Sequence, residues 1–234
     1  MPPLLCELWS LLLAHRAAVR QTRCFARLRA LVVGALCTVA RHTSAQALLA
    51  LGLSDSDWSA VYRLFSHARL DYNLLTRCFV RATLAQIPTV GPYVAAVDGV
   101  QIPRASRTMP GTAWLKCPRT PPWKPGSQRA QRSVHLAALL PRWEGYSRAV
   151  PLRFVPAFPP KAVAGAAAPQ TGREAALTEL RWLRTELDAA GRADQDVLAL
   201  GNGSYDVLDL WRERPARTVL LVRTARNRVL SPTA

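Results

Sequence analysis

Between Pro3 and Pro88 the chain has no proline, and Leu, Ala and Arg recur at the three-and-four spacing of helix faces. This pattern predicts helices over 5–20, 23–40, 44–51, 56–67 and 71–86. His42, Thr43 and Ser44 supply a turn and a cap, Gly52 ends the short helix that follows, and Ser54-Asp55 cap the next. A short helix, a tight turn and a helix bearing Trp58, Tyr62 and Phe65 make a helix-turn-helix-like unit. The same aromatics also suit the core of a plain helical bundle. The expected first domain is 1–87, a helical and DNA-binding region.

After Pro88 the texture changes. YVAAVDGVQI (93–102) is a short, apolar, β-branched run and reads as a buried strand. Residues 103–132 are rich in Pro, Gly and Arg without apolar periodicity, and read as a long insertion loop. Strands are expected at 133–142 and 146–158, with Glu144-Gly145 turning a hairpin between them. The low-complexity stretch 159–172 reads as a mobile linker. An amphipathic helix over 173–190 shows Leu177, Leu180, Trp182, Leu183 and Leu187 on its apolar side, with Gly191 as C-cap. A strand near 196–200, a short helix capped by Asp206 and a strand over 218–224 complete the order. Strands alternating with helices imply a mixed α/β sheet with helices on its faces, here the second domain, 88–234.

Composition sharpens the picture. The net charge is +16, which points to a polyanionic partner, although only 3 of the 31 basic residues are Lys and an Arg-rich codon bias gives the same excess. The five cysteines and four histidines show no metal-ligand spacing. Cys37 and Cys78 sit in apolar contexts that suggest buried thiols, and the chain reads as reduced and cytosolic. The apolar runs 4–13 and 31–40 are far short of the roughly 20 residues that cross a bilayer, and both read as core helices.

Asp98 is the most informative residue. It ends an apolar strand, where a carboxylate has no packing role, although Asp-Gly is also a common turn pair. Seven basic residues follow with no acid among them: Arg104, Arg107, Lys116, Arg119, Lys124, Arg129 and Arg132. A carboxylate beside such a loop suits phosphodiester chemistry. Asp98 would hold a divalent metal, the cations the DNA backbone, and Trp114 and Trp123 an unpaired base. A solvated, proline-stiffened surface segment would carry the same loop. A second acid is wanted at the tip of the 197–200 strand, where the chain has Asn202. An amide can ligate a hard cation, but without charge. Asp206, four residues on, suits a helix cap better than a ligand.

The run from Ala96 to Pro141, the segment LALGNGSYDVLDLW and the strand TVLLVRTARN together resemble DDE transposases of bacterial insertion sequences, also described as DDE superfamily endonucleases. The segment from about 27 to 86 is similar to their N-terminal region. The resemblance implies an RNase H-like core, here partial, preceded by a helical region. It implies Mg²⁺- or Mn²⁺-dependent DNA strand cleavage and strand transfer at transposon ends by a protein that generally acts as a dimer. The first catalytic aspartate maps to Asp98, the second to Asn202, and the recurrent Arg to Arg223. The third acid, a glutamate on a later helix, has no counterpart, since Glu213 precedes the last strand. The resulting expectation is a truncated, catalytically incomplete, nucleoid-associated transposase of the bacterial cytoplasm. A regulatory remnant that competes for transposon ends is the alternative, and a poorly folded remnant a third.

Overall fold

The computed structural model describes residues 3–39, 43–55, 57–66, 69–118, 120–121, 123–141, 145–165 and 168–224, and the chain divides into two compact units, residues 1–82 and 83–234.

The first unit is helical. Its elements are α1 (Pro3–Ala14), α2 (Thr22–Cys37), α3 (Ser44–Ala50), α4 (Trp58–Ser66) and α5 (Tyr72–Leu84), the last running across the unit boundary. α1 stops early, because residues 16–18 tighten into a 3₁₀ turn and Val19 bridges to Leu70. The core gathers Val19, Cys24, Phe25, Leu31, Ala47, Leu48, Val61 and Leu64, with Trp58 packed against it. Tyr62 and Phe65 are 51% and 60% exposed, so of the three α4 aromatics only Trp58 joins the core. α2 and α3 cross so closely that a Cβ on Gly34 would lie 2.2 Å from the Ala47 carbonyl oxygen.

Three expectations change in this unit. α4 is capped by Asp57, whose carboxylate accepts the Ala60 N–H at 3.3 Å, and not by Ser54-Asp55. α1 is no core helix, for Leu12 alone of its residues is buried. The thiols at Cys24 and Cys78 are buried, whereas Cys37, at the end of α2, is exposed. Thr43 caps α3 as expected, accepting the Gln46 N–H at 3.2 Å. His42 lies outside the described residues. Among the described residues, no helix is long and apolar enough to cross a membrane.

The second unit is a six-stranded mixed sheet. Its strands are β1 (Tyr93–Pro103), β2 (Thr112–Lys116), β3 (Ser127–Leu139), β4 (Ala149–Pro156), β5 (Val197–Gly201) and β6 (Thr218–Val222). The order is β2-β3-β1-β5-β6, with β4 pairing the second half of β3 beyond β2. β1, β5 and β6 are parallel, and β1, β2 and β4 are antiparallel to β3. With the helical region before it, this arrangement fits an RNase H-like α+β fold.

Two helices cover one face. α6 (Gly172–Ala189) opens with a capping box between Thr171 and Glu174 and buries Ala175, Ala176, Leu180, Leu183 and Leu187. α7 (Leu208–Glu213) adds Leu210. Gly191 follows α6 at φ +75°, the left-handed conformation that releases the chain toward β5. The turn after α6 is tied to the entrance of β1. Arg192 donates to the carbonyls of Leu84 and Ile87, and Gln195 Nε2 donates to those of Pro88 and Gly91. These bonds hold β5 in register with β1, and a slip of one residue would send every β5 side chain to the other face.

The stretch 103–132 is not one irregular loop. It contains β2 and the first part of β3, a hairpin that extends β1 past the end of its parallel neighbour. The linker 159–172 is likewise tied in place where described. Val163 exchanges backbone bonds with Gly111 and Thr112, and Gln170 bonds to Pro156 and Phe158. Gly111, at φ +76°, admits the Phe158 ring where any Cβ would collide with it at 2.3 Å. Glu144 lies outside the described residues.

Candidate active site on the open face of the sheet

Asp98 does not turn the chain. It lies inside β1, paired in register with His135, and Gly99 continues the strand opposite Val134. The reason is the hairpin: β3 begins at Ser127 and supplies β1 with partners as far as Pro103, where the sequence suggested a loop. β1, β5 and β6 are in register at Val97, Gly201 and Val222. The next residues, Asp98, Asn202 and Arg223, therefore follow side by side, at the carboxyl ends of β5 and β6. That is where open α/β sheets place their chemistry.

Strand alternation sorts the side chains between the two faces. Val97, Ala199 and Leu220 are buried on the α6 side. Asp98, Asn202 and Arg223 are exposed and stand on the opposite, open face. His135 joins them through its pairing with Asp98 and meets the Phe154 ring edge-on, with centroids 3.8 Å apart. A row thus crosses the open face: Phe154, His135, Asp98, Asn202, Arg223. His135 is the member that the sequence did not single out, since its place depends on the β1–β3 register.

Asp98 and Asn202 are joined. The Asn202 Nδ2 donates to Asp98 Oδ1 at 2.7 Å, and the Gly99 N–H donates to the same oxygen at 2.8 Å. At its other end, Asn202 Oδ1 accepts the Ser204 N–H at 2.9 Å and so caps the 3₁₀ turn Gly203–Tyr205. A backbone N–H can only donate, so it fixes which end of the amide is oxygen. The nitrogen therefore faces Asp98. The residue at the N-cap of α7 is Val207 and not Asp206, whose carboxylate accepts the Trp211 indole N–H at 3.2 Å.

The charge on Asp98 is felt nearby. Burial pushes the Tyr205 hydroxyl up to about 12, helped by Asp98 and opposed by Arg132. Burial lowers His135 from its ordinary value while Asp98 pulls it back up. The His135 Nε2 and the Tyr205 hydroxyl are both buried without a hydrogen-bond partner.

The basic residues divide. Lys116 and Arg129 share the open face with Trp114, by the alternation of β2 and β3. Lys116, Lys124 and Arg107 are exposed, as are Trp114 and Trp123 at 66% and 84%. Arg129 spends its guanidinium on the loop, donating to the Ser106 and Arg107 carbonyls and to Thr112 Oγ1. Arg104 donates to Gln131. Arg132 stands on the α6 side, its guanidinium beside Gly99 and Gly172. Arg119 lies outside the described residues.

These donors do not fit a two-cation site. Such a site needs bridging and flanking carboxylates. Here a single carboxylate meets an amide presented nitrogen-first, and among the described residues no three His, Cys, Asp or Glu side chains converge.

No curated protein matches the chain. A family model described as DDE superfamily endonuclease matches residues 15–233. Proteins of that family act on DNA and generally use divalent metal ions. The match spans both units, the mixed sheet and the Asp98 row, and on that ground the chain belongs to the DDE superfamily endonucleases.

Proposed function

We propose that this chain is an insertion-sequence transposase-type protein that binds DNA at transposon ends and is catalytically incomplete. The observation that carries this reading is the Asp98–Asn202 contact. The position next to the only carboxylate of the row is filled by a neutral amide that donates to it. DNA would lie along the open face, its phosphates against Arg223, Lys116, Lys124 and Arg107, and unpaired bases against Trp114 and Trp123. Steering by the net charge of +16 favours the encounter. Mg²⁺ or Mn²⁺, bound at Asp98, is the cofactor of a complete site of this kind. Action as a homodimer on paired ends belongs to the same proposal.

The test has two arms. Supercoiled plasmid incubated with the chain and Mg²⁺ or Mn²⁺ is expected to stay intact. Nicking that disappears on Asp98→Ala would overturn the claim of incompleteness. Binding to a terminal-repeat duplex is expected to fall linearly in log affinity with log salt, with a slope near −0.9 per phosphate contacted. The same amide favours a second reading, a protein that occupies transposon ends without cutting and competes with an intact transposase. A preference for terminal repeats over random duplex supports that reading, and equal binding to both sinks it.

A further inference from the structure

We infer that the Asn202 carboxamide takes the place of a divalent cation beside Asp98, so that the native chain is closed to cations at this point and the chemistry of residue 202 decides this. The inference concerns the site proposed above and rests on that reading only for the choice of Asp98 as its acid.

Three observations carry it. First, the amide cannot offer its oxygen inward without loss. Oδ1 is held by the Ser204 N–H at 2.9 Å, and turning the amide over would set two donors against each other there. Second, Asp98 Oδ1 already accepts two N–H groups, from Gly99 at 2.8 Å and from Asn202 at 2.7 Å. A cation approaching that oxygen meets the positive ends of both dipoles, and displacing Asn202 would leave its N–H₂ facing the same cation. Third, the neighbouring members of the row add no anion. Arg223 brings a positive charge on the β6 side, and on the β3 side stands the imidazole of His135.

Exchange of the amide for a carboxylate reverses the first point and removes the Asn202 donor from the second, while Gly99, Arg223 and His135 stay as they are. A carboxylate at 202 can still accept from Ser204 N–H and cap the 3₁₀ turn, because Asp and Asn cap equally well. Its second oxygen then faces Asp98, and two adjacent carboxylates with no proton between them form a pair that a hard cation binds.

The experiment is a Mn²⁺ titration of the full chain without DNA, followed by the electron paramagnetic resonance signal of free Mn²⁺. The native chain and Asp98→Ala are expected to give the same titration. Asn202→Asp is expected to remove free Mn²⁺ from solution with an affinity higher by about tenfold or more, since even outer-shell changes alter metal affinity about 10- to 100-fold. Asn202→Asp combined with Asp98→Ala is expected to lose that gain. Thermal melts in EDTA and in Mn²⁺ accompany the titrations, and only Asn202→Asp should melt higher with the metal. Mn²⁺ binding by the native chain that vanishes in Asp98→Ala overturns the inference. So does a folded Asn202→Asp that binds no better than the native chain. Neither result bears on DNA binding, so the inference can fail while the proposed binding at transposon ends stands, and the plasmid-nicking arm tests incompleteness separately.

Discussion

A single charge organises the open face at the residue scale. Asp98 raises both His135 and Tyr205, from opposite sides of the sheet, while burial acts on each of them separately. Burial is the larger influence on both groups, so Asp98→Asn is expected to lower His135 further below its ordinary 6.5 and to remove only the smaller part of the Tyr205 rise. NMR titration of the His135 ring reads the first shift directly, and an unmoved His135 would mean that Asp98 does not reach it. Asp98 and Asn202 were legible in the sequence because each follows an apolar run, although β1 continues past Asp98 to Pro103, and Arg223 was legible only through the family resemblance. His135 was not legible. Its role comes from pairing with a strand distant in sequence, and no local pattern encodes that register. Nor could the sequence show which end of the Asn202 amide faces Asp98, because that depends on one backbone N–H in the following turn.

Elements were read well where periodicity is strong. α6, with its capping box and closing Gly191, has nearly the expected bounds. β2 was missed because TAWLK is short and stands among Pro, Gly and Arg, where turn chemistry outweighs five residues of alternation. Close helix crossing was also invisible in sequence, since Gly34 sits in an ordinary apolar helix run. Gly34→Ala is expected to destabilise the helical unit by about 1–3 kcal/mol, because the added methyl meets backbone and not a side chain that can turn away. A lowered urea midpoint with an unchanged m-value checks this.

α6 also holds a buried acid. Glu179 is fully buried, with Arg153 at 3.5 Å, and the Arg153 guanidinium stacks on Trp182. Burial lifts Glu179 from 4.5 to about 7, although Arg153 opposes the rise. Because the folded value lies above the unfolded one, stability is fully present below about pH 4.5 and is lost as pH rises toward 7, by on the order of 3 kcal/mol. Glu179→Gln should remove this slope. Urea midpoints at pH 5 and pH 8 test it, and equal pH responses from native chain and variant would refute it. His135 works in the opposite sense, for its lowered folded value means that stability falls as pH drops below 6.5. Comparison with the variant cancels that contribution.

At the scale of the whole molecule, the sequence conveyed a helical region followed by a mixed sheet, and that order is present. It did not convey that α6 and α7 leave one face of the sheet open, since an apolar strand reads the same whether one or two of its faces are covered. That open face has a consequence for the protein in bulk. Among the described residues β6 is the edge strand next to β5, and on the open face it shows Val219 and Leu221, 56% and 59% exposed. Among the described residues no strand lies beyond β6, although the Thr218 carbonyl is taken by Arg214, and a β-branched edge strand is a template on which the same strand of another chain can add. Self-association should then set in with rising concentration well below the melting temperature, and it should nucleate at TVLLV. Val219→Lys places a charge at that edge while leaving the α6 side untouched. It is expected to hold the protein in solution, with an unchanged melt, at concentrations where light scattering from the native chain climbs.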